Sequence, residues 1–208
     1  MDATTRKVSE LMSTKKVAVC LLAACLSLVN LPTTEAVGRD VPRDIFEWVQ
    51  STSMSGYYFN KQQICYGTGA DGNIDLNTLV VPTIKIYSDK QIEDVVQKRR
   101  WRMEKLDGYN DLIGAADYLS FDVAAQTVTI IEHDDLDKNW WPLSKNTETK
   151  TIKIADLSDK AVDGIFYRAI LNWAGEHQSE ILEHTLKKGL VLSPSDKERL
   201  DKAEHKKK

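Results

Sequence analysis

The 208-residue chain reads as a single α+β domain, in which β-hairpins form a small, mostly antiparallel sheet packed against two main helices. Three observations predict this. Short strand-prone runs alternate with turn-rich clusters, and two long segments carry apolar residues at helical spacing. The composition is ordinary, 42% hydrophobic and 28% charged, which excludes collagen-like, low-complexity, wholly disordered and polytopic membrane chains. With 28 Lys+Arg against 31 Asp+Glu the net charge is −3, so no global positive field points to nucleic acid.

Residues 1–36 read as an export signal. Lys15-Lys16 precede the apolar run Val17 to Leu31, and Thr34 and Ala36 are small residues suited to signal peptidase. The run is shorter than the ~20 residues that a membrane-spanning helix needs, and Ser27 and Asn30 interrupt it. The mature chain would then start at Val37. The alternative is lipobox cleavage before Cys25, since Leu22-Ala23-Ala24-Cys25 looks like the site at which bacterial lipoproteins are lipidated. Met12 offers a second translation start. Cleavage at Ala36 removes Cys20 and Cys25 and leaves Cys65 alone, which excludes an intramolecular disulfide and a finger-type zinc site.

The globular domain is expected over 37–192. Pro42-Arg43-Asp44 opens an apolar pattern (Ile45, Phe46, Trp48, Val49) that predicts a short helix ending near Met54, closed by Gly56. Tyr57 to Tyr66 and Thr78 to Tyr87 predict two strands around the turn cluster 67–73, with Pro82 arguing for an edge or an interruption. Ser88 or Asp89 caps the next helix. Its face carries Ile92, Val95, Val96, Met103 and Leu106, and Gly108 follows its end. Tyr118 to Val123 and Thr127 to Glu132 flank Ala124-Ala125-Gln126 as a tight hairpin, and a polar loop, Asp134 to Thr149, leads to the strand Thr151 to Ile154. A long helix is expected over Ser158 to Lys188, with Gly175 as a break or kink and Gly189 as its stop. Residues 193–208 read as a charged, flexible tail. TIKI followed by SDK occurs at 83–90 and again at 151–160, which suggests an internal duplication or convergence on one capping solution.

Four clusters are candidates for chemistry. His177, Glu180 and His184 share a helix face at spacings metal ligands use, although H-E-x-x-H is absent and a solvated charged face explains them equally. Asp71, Asn73 and Asp75 match the start of a calcium loop, but Leu76 replaces the turn glycine and Pro82 the bidentate glutamate. Glu132-His133-Asp134-Asp135 could do acid–base work, yet no nucleophile motif accompanies it. Trp140 and Trp141 stand together in a polar segment, where they either anchor a partner or fold back over the sheet. Lys98-Arg99-Arg100-Trp101-Arg102 adds a basic patch suited to an anionic lipid or an acidic partner.

The reading that follows is an exported, non-catalytic protein of the cell envelope, periplasmic, secreted or lipid-anchored through Cys25. It binds a protein partner through Trp140 and Trp141 as an accessory, inhibitor or immunity-type factor, with no cofactor and no nucleic acid. The alternative is an exported hydrolase, metal-dependent if it uses the His177/Glu180/His184 face, or else built on His133.

Overall fold

The computed structural model describes residues 41–198, so the segment read as an export signal, Cys25 and the end of the tail lie outside the described residues. Eight strands form one antiparallel sheet in the order β1-β2-β4-β5-β6-β7. Its centre is three long strands, β4 (Ile74–Tyr87), β5 (Leu112–Asp122) and β6 (Thr127–Asp137), rich in the β-branched and aromatic residues that favour a pleated surface. Each flank is covered by two short strands end to end. Along β4 lie β3 (Cys65–Thr68) and then β2 (Ser55–Asn60), with β1 (Phe46–Ser51) outside β2. Along β6 lie β8 (Lys150–Lys153) and then β7 (Pro142–Asn146).

Helices cover one face of this sheet. Helix α1 (Asp89–Trp101) follows β4 directly, while α2 (Val162–Glu176) and α3 (Gln178–Lys187) follow β8. Under α2 and α3 lies the main core, with Phe59, Leu79, Val81, Leu119, Phe121 and Val128 from the sheet meeting Phe166, Tyr167, Ile170 and Ile181. Under α1 lies a second cluster of Tyr87, Tyr109, Leu112 and Ala115, packed by Ile92, Val95 and Val96. The opposite face holds a smaller cluster of Ile84, Ile86, Ile113 and Leu136, against which Phe46 and Tyr58 pack. The α+β class is therefore as expected, with helices on one side of a mostly antiparallel sheet.

Several local expectations are overturned by tertiary contacts. The segment expected as a helix from Ile45 to Met54 is largely strand β1, because β2 offers it a ladder and a bulge at Val49 turns that side chain into the main core. Tyr57 to Tyr66 is two strands, not one, joined by a turn in which Asn60 Oδ1 accepts from the backbone of Gln62 and Gln63. Pro82 sits in a central strand. It is tolerated because β2 reaches only to Thr83 and β3 only to Val80, so the proline lies where the flanking partner changes. Helix α1 stops at Trp101, leaving Met103 and Leu106 beyond it.

The expected polar loop from Asp134 is instead the end of β6, a tight turn and β7. The long C-terminal helix breaks at His177 rather than at Gly175, where Trp173 O accepts from both the backbone N–H (3.0 Å) and the ring Nδ1–H (2.8 Å) of His177. Ser88 caps α1 by accepting from Gln91 N, whereas Ser158 does not cap α2, whose N-cap is Ala161. The two TIKI segments are thus a central strand in one case and a short flank in the other. Cys65, a free thiol, is buried in β3 with Lys188 Nζ 3.1 Å from its sulfur.

Gly114, at a bulge in β5, shows how closely the central strands approach, since a Cβ there would lie 2.1 Å from the Lys85 carbonyl oxygen. A backbone atom cannot move aside as a side chain can. Gly114→Ala is expected to cost about 3 kcal/mol of stability, measured by urea unfolding, as over-packing costs of this kind run to a few kcal/mol. An unchanged midpoint would mean that β4 and β5 separate without penalty.

Candidate functional site

Between the two apolar clusters on the helix face runs a polar stripe. A bulge in β6 between Ile130 and Glu132 creates it, because one extra residue reverses the alternation of side chains. Val128 and Ile130 face the helices before the bulge, and His133 and Asp135 face them after it. Glu132 and Asp134 accordingly point to the opposite face, so the four-residue acidic cluster is divided between two surfaces. On its own face, burial and the neighbouring Glu132 raise the Asp134 carboxyl above its ordinary range.

The stripe is a chain of alternating charge. Lys85 Nζ lies 2.9 Å from Asp117 Oδ2, and His133 Nδ1 lies 2.5 Å from Asp117 Oδ1. His133 Nε2 faces Asp135 at 3.6 Å. Asp135 Oδ2 accepts from Tyr109 OH at 2.7 Å and from Ser144 Oγ at 3.1 Å, with Arg99 Nη1 at 3.7 Å. Arg99 also stacks over the Tyr109 ring at 4.2 Å.

Burial alone would raise Asp117, but the His133 hydrogen bond and the Lys85 charge hold its carboxyl below the usual range. Burial would likewise depress Lys85, and Asp117 more than offsets it. The Asp117 hydrogen bond, with Asp135 second, pushes the His133 imidazole up to about 9, so the ring is a cation at neutral pH. Asp135 is held low against its own burial by His133 and then Tyr109.

This network braces a corner of the molecule that carries exposed aromatic side chains. In the β6–β7 turn, Trp140 N donates to Asp137 O, and Asp137 Oδ1 accepts from the backbone N–H groups of Asn139 (2.8 Å) and Trp141 (2.9 Å). That is a three-residue hairpin loop whose last position is left-handed, where glycine is usual. Here it is Trp140, at φ 66°. The rings of the pair are both accessible, with Trp140 39% and Trp141 69% exposed.

The end of α1 repeats the substitution. Met103 N donates to Arg100 O and Glu104 N to Arg99 O, which is a Schellman ending whose left-handed position ordinarily takes glycine. Met103 occupies it at φ 55° and is 95% exposed, beside Trp101 at 83%. Bulky residues at positive φ are uncommon and strained. The two segments meet through Arg99 on Asp135, Leu106 and Leu143 in one apolar cluster, and Lys138 Nζ 3.2 Å from Asp111 Oδ1.

The other sequence candidates lie elsewhere. His177 joins α2 to α3 with its ring stacked on Trp173 at 4.1 Å, and His184 Nε2 is 4.0 Å from Glu180, so the helix face is not drawn together as a ligand set. Among the described residues no group of three or more His, Cys, Asp or Glu could hold a metal ion. Asp71 is engaged by Asn73 N and Nδ2, and Asp75 by Asn77 N and Thr78 Oγ1, as turn-forming carboxylates. Sequence reasoning missed Lys85, Asp117, Arg99 and Tyr109, which reach His133 and Asp135 only through strand register and the packing of α1. No protein-family model matches this chain, and neither does any curated protein.

Two outcomes are expected. The His133 contribution is complete below about pH 6.5, where the unfolded ring is also protonated, and is lost as pH rises through about 9. The raised value would correspond to about 3 kcal/mol, which the ring's 38% side-chain exposure reduces to about 1–2. His133→Gln should therefore lower unfolding free energy more at pH 6 than at pH 10, by urea titration; an equal loss at both would remove the cationic role. Met103→Gly should raise stability by about 1 kcal/mol in the same assay, since glycine relieves the left-handed strain and the exposed side chain loses little packing.

Proposed function

We propose that the protein is a non-catalytic binding module of the cell envelope, exported through its N-terminal apolar segment, and that it docks a protein partner through Trp140 and Trp141. The observation that carries the reading is the presentation of this pair: two accessible indoles on a turn locked by Asp137, one of them in a conformation that costs free energy to hold. Exposed aromatic rings on an ordered turn offer large contact area at little loss of side-chain entropy, since each has only two χ angles, which is why tryptophan dominates binding hot spots. Retaining Trp140 where glycine would be relaxed favours a role outside folding.

The hydrolase alternative draws less support from the geometry. A general base must accept a proton near neutral pH, whereas the carboxylates of Asp117 and Asp135 keep His133 protonated up to about pH 9. Both ring nitrogens face those carboxylates, and the nearby hydroxyls of Tyr109 and Ser144 donate to Asp135 rather than to His133. The cluster is thereby suited to clamping β5, β6, β7 and α1 together.

The test uses the tagged, exported protein purified with its bound partner from native envelopes. Trp140→Ala/Trp141→Ala should reduce the co-purified partner at least about tenfold. The thermal midpoint should change little, as expected for exposed positions, where substitutions stay within about 0.5 kcal/mol. Loss of stability without a separable loss of binding would defeat the reading.

A further inference from the structure

Resting on that reading, we propose that the docking surface is bipartite and selects an acidic protein partner: Trp101 and Met103 at the end of α1 join Trp140 and Trp141, and Arg100 and Arg102 meet carboxylates of the partner. The two segments are far apart in sequence but are brought to one corner by the contacts of Arg99 with Asp135, Leu106 with the Leu143 cluster, and Lys138 with Asp111. Each presents a large apolar side chain at a left-handed position, and of the three non-glycine residues with positive φ among the described residues, Met103 and Trp140 are these two. The backbone of each segment is fixed by a hydrogen-bonded turn.

The charge at this corner supports the choice of partner. Lys98, Arg99 and Lys138 are paired with Asp94, Glu104 and Asp111 respectively. Arg100 and Lys105 are exposed with no ion pair among the described residues, and Arg102 reaches Glu104 only at 3.9 Å with a well-exposed side chain. Against these three cations stand Asp107, an exposed acid without such a pair, and Asp137, whose carboxylate is held by the backbone N–H groups of its own turn. An apolar centre of Trp and Met with arginine around it is the composition of a protein interface core and rim. Opposed charge on the partner would set register and speed encounter. A bilayer, the other surface that attracts tryptophan, is recognised by clusters of about 4–8 free basic residues, and here Lys98 and Arg99 are already paired with Asp94 and Glu104, which leaves fewer free cations than such a cluster needs.

The experiment is photocrosslinking of the full chain in its own cells, with p-benzoylphenylalanine at Trp101, at Trp141 or at Gln178 on α3. Positions 101 and 141 should yield adducts with one and the same polypeptide, Gln178 none, and the linked peptides should carry Asp or Glu. Arg100→Glu/Arg102→Glu should cut both adducts about tenfold, as loss and reversal of interfacial charge does. Lys153→Glu on β8 should leave both adducts unchanged, with folding of each variant checked by its thermal midpoint. An adduct from 141 alone would end the bipartite surface and keep the binding module, and adducts from neither position would end both. Lipid adducts, with co-sedimentation of the purified protein on phosphatidylglycerol-containing but not pure phosphatidylcholine vesicles, would replace the protein partner by a membrane.

Discussion

Asp117 is the residue on which the rest of the architecture turns. Its carboxylate is almost wholly buried in the central strand β5, and one oxygen meets Lys85 on β4 while the other meets His133 on β6. A buried carboxylate without both partners would carry a desolvation cost of several kcal/mol. With them, three neighbouring strands are held in one register by charge as well as by their ladder. Thr83 Oγ1 donates to the Asp117 carbonyl at 3.1 Å, so the backbone at this position is satisfied too.

The stripe around Asp117 also explains why the helix face has two apolar clusters rather than one. Apolar residues run under α2 and α3 until the bulge in β6, and the reversed alternation then places His133 and Asp135 where further core residues would stand. Beyond them Tyr109, Arg99 and Ser144 converge on Asp135, and the small cluster under α1 begins. Every member of this polar belt that lies deep in the fold has a partner of opposite charge or a hydrogen bond, the condition under which such networks rigidify a fold instead of weakening it. The belt ties the end of α1 and strand β7 to the sheet, and Trp101 closes that helix while Trp140 and Trp141 lie in the turn that leads into β7.

Strain and exposure coincide at that corner. A glycine at residue 103 or 140 would form the same turn at lower cost, yet the chain places Met and Trp there and leaves both accessible to solvent. Interior packing cannot account for Met103, and it accounts for little of Trp141. An interaction surface built on ordered turns, supported by a charge-paired base, is a coherent physical reading of this arrangement.

Local chemistry in the sequence was enough to determine the α+β class, the hairpin around Ala124-Ala125-Gln126, the Ser88 cap and the helical character of 162–187, because period, turn residues and caps act within a few neighbours. Trp140 and Trp141 were legible as a loop feature for the same reason. Tertiary structure decided what depends on partners distant in the chain. It made residues 46–51 a strand, placed Pro82 in a central strand, extended β6 through Asp137, and stopped α1 at Trp101. His133 could be seen in the sequence, but its company of Lys85, Asp117 and Arg99 could not. A single extra residue in β6 sets which face the imidazole occupies, and only the pairing of β4, β5 and β6 reveals that residue.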